Sequence, residues 1–198
     1  MSLNLSGTWK FRLARRRGEV PAKVERWMEG RVPGTVHGGL ERAGKIADPW
    51  FGMNELDLQW IDRQDWEWMR TFAATAEDCA RGRQDLIFDG LDTVATVFVN
   101  GRKVGRSVNM FRQVVCDVRA SLKPGLNDLR VLLKSPTHYA RNEARRGKLR
   151  SVFIYVSLAF AKGYRARADW QGGAIWRRGW RAGGLALSLP ANPSGGTS

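Results

Sequence analysis

The sequence predicts an all-β fold, a β-sandwich or jelly roll of antiparallel strands with one short helix. Three observations lead there. Seven or eight short runs of alternating or β-branched residues recur at regular spacing with turn residues between them, as in β-sandwiches. Asn100-Gly101 stands between two such runs and supplies the positive φ values of a two-residue type I′ hairpin turn. Helical periodicity is confined to one stretch near Leu40, Glu41 and Ala43, stopping at Gly44.

Taken in order, Trp9, Phe11 and Leu13 alternate with Lys10 and Arg12, the pattern of a half-buried strand that Arg15-Arg16-Arg17 ends in a solvated loop. Val32-Pro33-Gly34 marks a turn into the helix. In the run from Trp66 to Phe72, Trp66, Trp68 and Phe72 share one face, while Glu67, Met69 and Thr71 take the other. Asp85 to Asp89 is a short strand. Thr93 to Val99, apolar or β-branched on both faces, predicts a strand buried on both sides that turns at Asn100-Gly101 and pairs with Arg102 to Val108. Gln113 to Val118 follows. After the Lys123-Pro124-Gly125 turn, Leu129, Val131 and Leu133 alternate through Leu126 to Lys134.

The chain has 198 residues and a formal net charge of +14. Residues 145–198 hold ten Lys and Arg against the single acid Asp169, so much of the excess sits in a tail. A basic appendage differs from a basic groove interleaved with aromatics, and no nucleic-acid partner is expected. No apolar run reaches the roughly 18 residues of a spanning helix, and the N-terminus lacks a signal-peptide pattern. The expectation is a cytoplasmic protein with no membrane partner, whose Cys79 and Cys116 are reduced thiols.

Chemistry-bearing residues are few. His37 has no Cys or second His at ligand spacing, which favours a hydrogen-bonded structural role over a metal site. Asp57, Asp62, Asp65 and Glu67 form the densest acidic group, but strand and turn geometry should distribute them over the surface. No catalytic residue, metal ligand or cofactor site is assigned. Asp48-Pro49-Trp50-Phe51-Gly52-Met53-Asn54-Glu55 places aromatics beside an amide and carboxylates in one loop. Sugar rings offer an apolar face and a rim of hydroxyls, so Trp50, Asn54 and Glu55 are the candidate substrate-binding residues. The alternative is a loop whose aromatics cover the core.

The succession Leu5-Ser6-Gly7-Thr8-Trp9, VPGTVHGGL, DPWFGMNE, LQWIDRQDWEW, GLDTVATVFVNGRKVG, NMFR and Leu122 to Leu129 resembles the N-terminal sugar-binding domain of family-two glycoside hydrolases. VPGTVHGGL, DPWFGMNE and NMFR narrow the resemblance to β-mannosidases. It covers residues 3–145 and implies a galactose-binding-domain-like jelly roll, packed in the full-length family against an immunoglobulin-like domain and a (β/α)8 barrel. That barrel carries the two catalytic carboxylates, and the implied substrate is a β-mannoside or oligosaccharide. The chain departs from the family near Arg145: the WDWGP-type motif expected there is absent, and Asp169-Trp170 stands alone.

The expected organisation is therefore a sugar-binding domain over residues 1–148, incomplete in its last strands, and a basic Gly/Arg/Ala-rich tail over 149–198. A frameshifted gene would produce such a tail, which should be partly disordered, although Ser151 to Phe160 is apolar enough to pair as a strand. Three readings follow: a β-mannosidase fragment inactive alone, a free-standing carbohydrate-binding module, and a basic nucleic-acid-binding or interaction protein.

Overall fold

The computed structural model describes residues 3–21 and 23–146. Eight strands and four short helices follow one another as β1 (Gly7–Arg15), β2 (Met28–Val32), α1 (Val36–Arg42), α2 (Asn54–Asp57), β3 (Asp65–Ala74), α3 (Ala76–Ala80), β4 (Asp85–Phe88), β5 (Val94–Val99), β6 (Arg102–Ser107), β7 (Val114–Asp117), β8 (Gly125–Lys134) and α4 (Pro136–Arg145). Six strands form an antiparallel sheet in the order β2-β1-β3-β8-β5-β6, and β4 pairs with β7 in a second, two-stranded sheet. The all-β sandwich expected from the alternating runs is the fold observed.

Two features differ from expectation. The predicted helix is α1, capped by the Thr35 side chain on the Gly38 amide and followed by Gly44 at φ 63°. Two of the three further helices carry start signals that apolar periodicity does not register: a Thr75/Asp78 capping box before α3, and Ser135 with Pro136 at the first helical position of α4; the single turn of α2 has no side-chain cap. Strand β2, MEGRV, was also unanticipated. Its charged residues face solvent while Gly30 and Val32 are buried, and Gly30 lets the rings of Trp68 and Phe11 lie close against its backbone.

Trp66, Trp68 and Phe72 fall on the buried face of β3, as the alternation predicts. Phe11 is fully buried and stacks on Trp68 at 4.9 Å between centroids, with Trp66 tilted against it at 6.1 Å. Buried indoles need an acceptor. Trp9 Nε1 donates to the Leu5 carbonyl at 2.8 Å and Trp66 Nε1 to the Ile61 carbonyl at 2.9 Å. The expectation for β5 holds on one face, where Ala95, Val97 and Val99 are buried; Thr96 and Phe98 on the other are only half-buried.

The hairpin is the type I′ turn, with φ of 50° at Asn100 and 79° at Gly101. Asn100 also anchors it. Its side-chain amide donates to the Ser121 carbonyl and Asn127 Oδ1, both at 2.7 Å, and its Oδ1 accepts from the Asp128 amide at 2.9 Å. A Cβ added at Gly101 would meet nothing within 4 Å, so Gly101→Val tests chiefly the strain of a β-branched residue at positive φ. It is expected to cost about 1 kcal/mol or more, read as a lower urea midpoint. An unchanged midpoint would contradict the strain.

Cys79 and Cys116 are free thiols. Burial, and secondarily the charge of Asp85, push the Cys116 thiol up to about 11, so it stays protonated and behaves as a small apolar side chain. The expectations for Ser151 to Phe160 and for the rest of the tail lie outside the described residues.

Candidate functional site

Trp50, Asn54 and Glu55 lie on one surface loop that runs into α2. Pro49 is buried and roots the loop. Asp48 organises it, its carboxylate accepting from the Trp50 amide and its carbonyl from Asn54 Nδ2, each at 2.8 Å. Asn54 is thus a structural clasp through its amide nitrogen, and the Glu55 carbonyl accepts from Gln59 Nε2 at 3.0 Å. The aromatics do not cover the core. Trp50 is 53% exposed and Phe51 74%, with Met53 and Leu56 also exposed. Burying such side chains against a ligand or a neighbouring domain yields about 25 cal/mol per Å2 of apolar area.

The acidic residues behave differently from the surface scatter expected of them. Asp57 is exposed, but Asp65 and Glu67 are buried on the same face of β3 and committed to arginines. Arg17 pairs with Asp65 at 2.8 Å, and the Ser135 amide donates to the same carboxylate at 2.9 Å, fastening the start of α4 to β3. Glu67 is held between Arg12 at 2.9 Å and Arg130 at 3.1 Å. Those guanidiniums lie over the rings of Trp27 at 4.4 Å and Phe98 at 5.1 Å. With both of its oxygens occupied by guanidiniums from the neighbouring strands, Glu67 forms a structural ladder across the sheet. The ladder was missed because its members come together only through the β1–β3–β8 register.

A cavity of about 200 Å3 opens on the inner face of the larger sheet. Its floor is Trp66, Trp68, Val131 and Leu133, and His37, Asp62 and Lys134 stand among its walls. Burial lowers the His37 pKa to about 4, so the ring is neutral at ordinary pH. Asp62 Oδ2 accepts from the Thr137 hydroxyl at 2.7 Å. Asp62 Oδ1 and Trp68 Nε1, also buried, have no hydrogen-bond partner among the described residues. No group of three or more His, Cys, Asp or Glu suited to a metal occurs among the described residues. No helix there is long and apolar enough to cross a membrane.

The model of the family described as "Glycosyl hydrolase 2 galactose-binding domain-like" matches residues 9–172. The chain belongs to that family. It is 32% identical over 146 residues to the β-mannosidase of Bos taurus, covering 74% of this chain and 16% of that protein. A probable β-mannosidase of Caenorhabditis elegans is 34% identical over 142 residues, covering 72% and 15%. Among solved structures, the β-D-mannosidase of Dictyoglomus thermophilum superposes with a TM-score of 0.66 at 33% identity, over 73% of this chain and 17% of that one. The chain thus corresponds to an N-terminal domain of family-two β-mannosidase-like proteins and spans about a sixth of the length of the relatives it matches.

Proposed function

We propose that this chain is the N-terminal domain fragment of a β-mannosidase-like glycoside hydrolase that releases terminal β-D-mannose residues when complete, and that it is inactive alone. The supporting observation is the pairing of above 30% identity to β-mannosidases with coverage of only a sixth of their length. A retaining glycosidase needs two carboxyl groups about 5–5.5 Å apart, one as nucleophile and one as acid/base. The buried carboxylates of Asp65 and Glu67 are instead occupied by arginines. The work of the domain is then to present surface: Trp50, Phe51, Met53 and Leu56 would pack against the immunoglobulin-like or barrel domain, with Trp50, Asn54 and Glu55 at the sugar-facing margin.

The purified chain is expected to give no turnover of an aryl β-mannoside above the uncatalysed rate. Turnover that survives rigorous purification and copurifies with the chain would overturn this reading. Exposure of Trp50 and Phe51 also favours a second reading, a free-standing carbohydrate-binding module. Titration with β-mannooligosaccharides separates the two. Saturable quenching of tryptophan fluorescence, lost in Trp50→Ala, supports the module; no change at millimolar sugar leaves the fragment.

A further inference from the structure

The cavity on the inner face of the large sheet has a size and a set of polar atoms that together define what fits it. Its volume of about 200 Å3 exceeds the ~150 Å3 of an apolar protein cavity that takes benzene. A single ring with one substituent is the matching size. Trp66, Trp68, Val131 and Leu133 give it an apolar floor on which such a ring can lie.

Two buried polar atoms at this floor set the chemistry. Trp68 is 5% exposed, and neither its Nε1 nor Asp62 Oδ1 has a hydrogen-bond partner among the described residues. The Trp68 ring meets Gly30 of β2 through Cζ3 and Cη2. Nε1 lies across the indole from those atoms, so the N–H edge is turned away from β2. The other carboxylate oxygen of Asp62 accepts from the Thr137 hydroxyl at 2.7 Å, which holds the side chain in place. Buried groups of this kind are almost always satisfied in native proteins.

An indole N–H only donates and a carboxylate oxygen only accepts, so a ligand for both must bring one acceptor and one donor. An ammonium or amidinium lacks the acceptor, and a carboxylate lacks the donor. A hexose brings too many of each. The Trp66 N–H is committed to the Ile61 carbonyl, and the Gln64 side-chain amide to the backbone of Arg17 and Trp60. Most hydroxyls of a sugar would therefore be buried unpaired against Trp66, Val131 and Leu133. A neutral amide carries one acceptor and one donor on separate atoms, which suits partners on separate elements, β3 and the turn before it.

We propose that this cavity is a binding site for a neutral one-ring aromatic amide. The ring lies over Trp66 and Trp68, the carbonyl accepts from Trp68 Nε1, and the amide N–H donates to Asp62 Oδ1.

Titration of the full-length chain with benzamide, read by calorimetry and by the indole N–H signals of a 1H–15N spectrum, tests this. Saturable binding with a Kd of about 1 mM or tighter is expected, with the Trp68 indole signal shifted. Acetophenone has nearly the same shape and keeps the carbonyl, but a methyl group replaces the amide nitrogen. It should bind ~10-fold or more weakly than benzamide, because it buries Asp62 Oδ1 without a donor. Trp68→Phe, which keeps a ring and removes the N–H, should weaken benzamide by a similar ~10-fold factor. No saturable binding of benzamide up to about 10 mM would overturn the proposal, leaving solvent as the partner of both atoms. Equal affinities for benzamide and acetophenone, or tighter binding of the cation benzamidine, would also overturn it. If Trp68→Phe does not fold, the ratio of benzamide to acetophenone affinity in the wild-type chain decides.

Discussion

Replacing Gly30 with valine is expected to destabilise the domain by about 3 kcal/mol, the upper range for forcing methyl groups into a packed core. Gly30 stands in β2 opposite Trp9, and a Cβ built on it would lie 2.6 and 2.8 Å from two ring carbons of Trp68 and 2.9 Å from Phe11. Neither ring has room to retreat. Trp68 is stacked on Phe11, and Phe11 is closed off on another side by Gly39, where an added Cβ would lie 2.7 Å from the ring. The clash must therefore move β2, tilt the stacked pair or part the sheet, and each forfeits burial of large aromatic surface. Urea denaturation measures the loss. Gly82→Ala is the control, since its Cβ meets nothing within 4 Å and its backbone needs no positive φ; it should stay within about 0.5 kcal/mol of wild type. A Gly30→Val midpoint equal to that of the control would show that the stacked rings are free to move.

The same glycine marks where sequence reasoning reached its limit. Strands β1, β3 and β8 were legible because their apolar residues alternate against charges, a local property. The β5–β6 turn was legible because Asn-Gly encodes it locally. In β2, by contrast, Gly30 is fixed by a ring on β3, nearly forty residues away in the chain, and MEGRV alone reads as polar loop. Glu67 follows the same logic. It sits directly across from Arg12 in the β1–β3 pairing, while Arg130 lies diagonally across from it on β8. Only that register turns an apparent surface acid into a buried ion pair. Of the candidate site, the loop that carries Trp50, Asn54 and Glu55 was readable from turn residues, but the exposure of its aromatics, as against their covering the core, was not. The cavity was not, because it depends on which part of the large sheet the second sheet leaves uncovered.

Acidification from pH 6.5 towards pH 4 is expected to remove about 3 kcal/mol of stability through His37 alone. Its ring is half-buried in the first turn of α1, where desolvation lowers its pKa from 6.5 to about 4. The positive end of the helix also stands there, a setting that disfavours imidazolium. Because the folded pKa lies below the unfolded one, the unfolded chain binds the proton more readily, and protonation pulls the equilibrium towards unfolding. The contribution is complete above about pH 6.5, falls by about 1.4 kcal/mol per unit as the pH drops, and is exhausted near pH 4. His138 contributes in the same direction, its pKa lowered by burial and then by the nearby Arg17 and Arg141. That residue lies near the surface, where solvent screens the effect, so His37 dominates. Urea midpoints measured between pH 7 and pH 5, above the range in which carboxylates ordinarily titrate, isolate the histidine contribution. His37→Gln, which cannot take up a proton, should flatten most of that slope even if it lowers stability at pH 7. A slope unchanged by the substitution would mean that His37 is charged in the folded protein or that its ring reaches water by opening of the α1 turn.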